Sequence, residues 1–392
     1  MYKILTMNTI SPIYKEILPA EEYEVSPTVE NPDAILVRSA DLHEFALPQS
    51  VKCVARAGAG VNNIPLDAFG EKGVVVFNTP GANANAVKEL VLAGMLLASR
   101  DIVGGIAWCQ SLKGEEGVAK LVEKGKNKFV GPEIMGKTLG VIGLGEIGAL
   151  VANAGNSLGM KALGFDPYIS VAHAWMLSRS IGRAKSQDDL LAASDYVTVH
   201  VPLMDATRGM INEEFLAKMK PGAALLNFAR GELADNDAVK AALRSGHLRA
   251  YVTDFPNEAL LGVKGVIAIP HLGASTPESE DNCVVMACRQ IDMYLKNGAI
   301  RNSVNYPACD LGAGDGQRIA VLHANVPNMV GQITSAIAHD NINIDNMTNS
   351  SKGKFAYTVL HLDDVAPEDV IQSLSKVQGV YGVRVQIGRA HV

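Results

Sequence analysis

A chain of 392 residues is too long for one hydrophobic core and predicts two or three domains. Its 41 acidic against 35 basic side chains leave a net charge of −6, which argues against a nucleic-acid binder, and no run of about 18 apolar residues offers a membrane span. Five scattered cysteines without C-x-x-C or metal-ligand spacing, and an N-terminus without a basic and then apolar leader, point to a reduced, cytoplasmic protein with no metal site.

The first elements are short apolar runs ending in polar or small residues: KILTMN, AILVRSA, VKCVARAGAG and GVVVFNTP. Such runs are the pattern of parallel strands buried on both faces, with crossover helices between them. The stretch ANAVKELVLAGMLLASRDIVGGIAWC reads as one long helix, apolar almost all round and therefore buried between layers. After a polar, Lys- and Gly-rich segment, a second series opens at TLGVIGLGEIG. It continues through KALGFDPY, DYVTVHVPL, AALLNFARG, RAYVTDF and GVIAIPH. The fold class expected is α/β, with two doubly wound, Rossmann-like parallel sheets.

A helix from Pro277 through PESEDNCVVMACRQIDMYLKNG is long enough to return to the first unit. Next, YPACDLGAGDGQ is Gly- and Asp-rich, without periodicity, and reads as a linker. The remainder has a βαββαβ order, with helices from about Val330 to His339 and from about Pro367. That order predicts a small ferredoxin-like α+β module.

Chemistry concentrates at the ends of the strands of the second series. VIGLGEIG places Gly143, Gly145 and Gly148 after a strand and at the mouth of a helix, where glycine permits a tight turn and lets a pyrophosphate approach the backbone. Asp166 ends the next strand, where a carboxylate accepts from a ribose diol and repels a 2′-phosphate, favouring NAD over NADP. Arg230 in NFARGE can grip a carboxylate through its bidentate fork. Asp254 and Glu258 follow in TDFPNE, and His271 in IPHLGAST. A carboxylate within reach of that imidazole would orient it and favour its charged form.

The set GLGEIG, Asp166, NFARGE, DFPNE and PHLGAST resembles the D-isomer-specific 2-hydroxyacid dehydrogenases, over about the first 305 residues. VRSA, RAGAGVNNIP and NTPGANANAVKEL resemble that family's phosphoglycerate dehydrogenase branch. The resemblance implies a discontinuous layout. Residues 1–98 and 276–305 would form the substrate domain, 99–275 the NAD domain, 306–316 a linker and 317–392 a regulatory module. It also implies that Arg230 binds and polarises substrate, Glu258 raises the basicity of His271, and His271 exchanges the proton. NAD contacts would come from Thr79, Glu146 and Ile147 through their backbone, Asp166, Val201, Phe228, Ala229, Arg230, Asp254, His271, Gly273 and Ala274. Two departures stand out: Asp254 and Glu258 are one residue closer than in the family's D-V-F-x-x-E-P, and Ala259 replaces the proline.

The implied reaction is NAD-dependent oxidation of D-3-phosphoglycerate to 3-phosphohydroxypyruvate. For its phosphate the candidates are Arg38 and Arg56, and for its carboxylate the amides of the Gly58–Gly60 turn. HANVPNMVGQITSAIAHDNINIDNM resembles an amino-acid-binding ACT domain, with His323, Asn325 and Asn343 at the ligand positions for a serine effector. Asn328 stands where glycine is usual, and asparagine tolerates positive φ. The family implies a homodimer or homotetramer. Two alternatives stay open: a dehydrogenase of another 2-hydroxy acid such as glycerate or 2-hydroxyglutarate, and a non-catalytic NAD-sensing scaffold.

Overall fold

The computed structural model describes residues 1–310, 317–338 and 342–387. The expected linker residues 311–316, the expected helix end at His339 and residues 388–392 of the expected regulatory module lie outside them. The chain divides into two compact units, Met1–Ala82 with Glu280–Val392, and Asn83–Ser279.

In the first unit, strands β1 (Tyr2–Met7), β2 (Tyr23–Ser26), β3 (Ala34–Val37), β4 (Cys53–Arg56) and β5 (Val75–Phe77) form a parallel sheet in the order β2-β1-β3-β4-β5. The apolar run AILV makes the central β3, all four of its residues buried, as two-sided burial requires. Edge strand β2 escapes sequence reading because its YEVS offers one fully buried residue and stands beside a polar turn.

The second unit contains β6 (Thr138–Ile142), β7 (Lys161–Phe165), β8 (Gly182–Arg183), β9 (Tyr196–Val199), β10 (Ala223–Asn227), β11 (Leu248–Thr253) and β12 (Val266–Ala268). All pair in parallel, in the order β12-β11-β10-β9-β6-β7-β8. Successive strands run outward in opposite directions from β6, so the order reverses between β6 and β9. In an open α/β sheet, that reversal opens a crevice at the carboxyl ends. Helix Ala84–Ser99 covers one face of this sheet through Val87, Val91 and Met95, all buried in a core with Val141, Leu226 and Val252. Each such side chain contributes about 1.5–3 kcal/mol on burial. Gly94 allows the close approach, since a Cβ there would stand 2.9 Å from the Phe228 ring.

The single long helix expected after residue 84 is instead two, Ala84–Ser99 and Ile102–Ser111, bent by 67°. Arg100 is extended, and the Asp101 side chain caps the second helix by accepting from the Gly104 amide at 2.9 Å. The second helix has no buried residue, so the expectation of burial fails there. Among the described residues no single helix is long and apolar enough to cross a membrane.

The terminal module is an antiparallel sheet of β13 (Gln317–Ala324), β14 (Ile344–Lys352), β15 (Phe355–Leu362) and β16 (Val380–Ile387), in the order β14-β15-β13-β16. With helices Met329–Ala338 and Glu368–Lys376 it has the βαββαβ order read from the sequence. Asn328 adopts φ +63° at the first helix, as its tolerance of the left-handed region allows. This sheet shares a core with the first: Ala320, Leu322, Phe355 and Tyr357 cluster with Leu36, Phe77, Ile291 and Tyr294. Tyr306, in the segment read as linker, is fully buried and donates to the Gly70 carbonyl at 2.7 Å.

Candidate active site

The glycine turn after β6 is shaped for close backbone approach. Gly143 has φ +88°, and a Cβ on it would meet the His200 backbone at 2.8 Å. A Cβ on Gly148 would come 1.9 Å from the Gly143 carbonyl oxygen, so only glycine lets helix Glu146–Ser157 start here. Gly145 is different, with open space around its Cβ position. The Glu146 and Ile147 amides begin the helix, whose N-terminal dipole favours an anion. Asp166, at the end of β7, holds the turn: its two carboxylate oxygens accept from the Leu144 and Tyr168 amides at 2.9 and 2.8 Å.

Arg230 follows β10. Buried Asn227 shapes the turn, donating to the Arg230 carbonyl at 2.9 Å and accepting from the Ala229 amide at 3.2 Å. Phe228 is buried and Ala229 half-buried, whereas the Arg230 guanidinium is exposed and donates to the Ala229 carbonyl at 2.6 Å. After β11, Asp254 is only 1 % exposed; one oxygen accepts from the Gly273 amide at 3.1 Å and the other, Oδ1, is buried without a donor among the described residues. Burial raises the Asp254 carboxyl above its ordinary value, opposed by the Gly273 amide and by the charges of His271 and Arg230. His271, beyond β12, is exposed and packs on the Phe255 ring, centroids 4.8 Å apart. Ala274 is exposed, Gly273 buried.

Asp254 is thus in electrostatic reach of both Arg230 and His271. Glu258 is exposed, with no hydrogen bond to His271 or any other described residue. His200 follows β9 directly; its Nε2 lies 2.9 Å from Thr198 Oγ1, its Nδ1 is buried with no partner among the described residues, and burial pushes its pKa down to about 4.

In the first unit, Arg38 pairs with Glu280, and Arg56 Nε donates to the Arg38 carbonyl at 3.0 Å while its Nη1 donates to the Gly60 carbonyl. The Gly58 amide is engaged with the Arg56 carbonyl at 2.9 Å, and buried Thr79 donates its amide to Gly58 at 3.1 Å. In the terminal module, buried His323 donates from Nδ1 to the Ala324 carbonyl at 2.8 Å, and its Nε2 lies 2.9 Å from Thr358 Oγ1. Burial lowers its pKa. Exposed Asn325 and Asn343 donate to the Gly353 carbonyl at 3.0 Å and to Asp345 at 3.4 Å.

These features fit a dinucleotide. A glycine turn with one unobstructed Cβ position would admit a pyrophosphate, and the donor-free Asp254 Oδ1 is an acceptor for an amide N–H such as the nicotinamide carboxamide carries. Comparison with known proteins agrees. Residues 92–273 match the family model described as D-isomer specific 2-hydroxyacid dehydrogenase, NAD binding domain. The chain is 40% identical over 286 residues to a D-3-phosphoglycerate dehydrogenase of Mycobacterium leprae, covering 71% of this chain and 52% of the relative. It is 37% identical over 295 residues to that of Methanocaldococcus jannaschii, covering 72% and 54%. The chain therefore spans about half the length of the curated relatives it matches. NAD+-bound 3-phosphoglycerate dehydrogenase of Entamoeba histolytica superposes with a TM-score of 0.60 at 27% identity, covering 78% of this chain and 98% of that one. Residues 92–273 belong to the D-isomer-specific 2-hydroxyacid dehydrogenase family, as its NAD-binding domain.

Proposed function

We propose that the protein oxidises D-3-phosphoglycerate to 3-phosphohydroxypyruvate. The observation that carries this reading is the grouping of Arg230, Asp254 and His271 at neighbouring strand ends of an NAD-binding sheet. NAD, when bound, supplies the hydride acceptor. The residues proposed to hold it are Gly143, Gly145, Glu146, Ile147, Gly148, Asp166, Val201, Phe228 to Arg230, Asp254 and His271 to Ala274, with Thr79 from the first unit. An imidazole nitrogen of His271 takes the proton of the C2 hydroxyl as the C2–H bond breaks. Arg230 binds the carboxylate and stabilises the developing carbonyl. Glu258 is the carboxylate proposed to orient His271; being exposed and without a partner among the described residues, its side chain has the freedom to swing toward the imidazole.

The identity to phosphoglycerate dehydrogenases supports a phosphorylated substrate, with Arg38 and Arg56 as phosphate ligands and the Gly58–Gly60 turn beside the carboxylate. The test is Arg38→Ala, which breaks an ion pair half exposed to solvent. Its kcat/KM for D-3-phosphoglycerate is expected to fall about tenfold or more, with D-glycerate changed less than about twofold. Equal losses for both acids would remove the phosphate assignment.

Serine is the proposed effector at His323, Asn325 and Asn343, and homodimers or homotetramers are the proposed assembly. The exposed Val103 and Ile106 on a helix without buried residues support association. An unchanged rate up to about 10 mM serine would sink the effector assignment.

A further inference from the structure

Helix Pro277–Asn297 buries Val284, Cys288 and Ile291 in the core of the first unit. On another face Val285, Met286, Arg289 and Met293 recur at helical spacing and, with Gln290, Arg301 and Asn302, line an open cavity of about 430 Å3. Its polar chemistry is incomplete in two places. Gln290 is only 3 % exposed; its Nε2 donates to the Asn78 carbonyl at 3.1 Å, and that bond sets the amide's orientation. Its Oε1 is left buried with no donor among the described residues. A buried acceptor is normally satisfied, so an orphan lining a cavity marks the place for a donor.

The second gap is Arg289, exposed and with no hydrogen bond or ion pair to a described residue. The nearby charges are already committed. Asp281 accepts from the Ser11 hydroxyl, Asp292 accepts from the Tyr23 hydroxyl and pairs with Lys296 at 2.8 Å, and Arg301 pairs with Asp310 at 2.6 Å. No carboxylate among the described residues pairs with Arg289. Val285, Met286 and Met293 add an apolar, adaptable wall.

We infer that this cavity is a second small-molecule site, for an amino acid with an apolar side chain. Its carboxylate pairs with Arg289, its ammonium donates to Gln290 Oε1, and its side chain lies on Val285, Met286 and Met293. The site uses none of the residues assigned to the nucleotide, the hydroxy acid or the serine effector. It stands or falls apart from the proposed dehydrogenase reaction.

Calorimetric titration of the intact protein tests it, with three probes: L-leucine, 4-methylpentanoate, which lacks the ammonium, and 3-methylbutylamine, which lacks the carboxylate. Leucine is expected to saturate in the low millimolar range, and each truncated probe to bind about tenfold more weakly. Arg289→Met, on the surface, is expected to weaken leucine about tenfold. Gln290→Leu is expected to do the same at unchanged Tm; if it lowers Tm, the Arg289→Met and probe results decide. No saturable leucine binding by about 50 mM overturns the inference. So does wild-type affinity in Arg289→Met, or equal affinity for all three probes.

Discussion

At the residue scale the account turns on a buried carboxylate beside an exposed imidazole. Asp254 has its pKa raised by burial above the ordinary 3.8. The folded state then holds the proton more tightly than the unfolded chain does. Stability is full below 3.8 and is lost as pH rises from there through the folded value, where the buried group must ionise. Asp254→Asn, which keeps an acceptor for the Gly273 amide, is therefore expected to raise the Tm of the nucleotide-free protein at neutral pH, with the gain vanishing near pH 3. The same variant should bind NAD more weakly, because an amide N–H would face the position now held by the donor-free oxygen. A Tm gain that persists at about pH 3 would contradict the burial argument. His271→Asn is expected to lower kcat by about 10²–10⁴-fold, read by steady-state rates at saturating NAD. Glu258→Gln is expected to lower kcat by about tenfold or more. Wild-type kcat in that variant would leave Asp254 as the carboxylate that matters. The positions of Arg230 and His271 just after β10 and β12 were legible in the sequence because each ends an apolar run. The orphan oxygen of Asp254 was not, because a missing partner is a property of packing.

At the scale of elements, the glycine turn makes two opposite forecasts. Gly148→Ala places a methyl 1.9 Å from the Gly143 carbonyl and should destabilise by about 1–3 kcal/mol or more, visible as a lower Tm. Gly145→Ala meets nothing within 4 Å and has ordinary negative φ, so its Tm should stay within about 2 °C while NAD affinity falls about tenfold or more. Unchanged affinity in Gly145→Ala would show that no pyrophosphate approaches there. The parallel strands were readable because runs such as AILV and AALLN are buried throughout. The bend at Arg100 was missed because apolar composition alone suggested continuity. The sequence SRD contained the stop, with Asp101 a capping residue for the next helix. β2 was missed because an edge strand needs little apolar surface.

At the scale of the whole molecule, the terminal module contributes to two cores, one of its own around Ile319, Ile333 and Val370 and one shared with the first sheet. Arg384 of β16 donates to the Lys52 and Gly73 carbonyls at 2.8 and 3.3 Å and stacks over the Tyr294 ring at 4.7 Å. Tyr357 donates to the Gly298 carbonyl at 2.8 Å, and Lys354 pairs with Glu71 at 3.0 Å. Such contacts join residues up to about 330 positions apart, which no local pattern announces. Arg384→Met is expected to cost about 1.5–3 kcal/mol and to speed amide hydrogen exchange in β13 and β16. Unchanged exchange would mean the module is held by its apolar core alone. The proposed reaction is put to the test by kcat/KM of the intact protein with NAD and D-3-phosphoglycerate, D-glycerate or D-2-hydroxyglutarate. D-3-phosphoglycerate is expected to be preferred by about tenfold or more, whereas an equal or better unphosphorylated acid, or no turnover of any, would overturn the assignment.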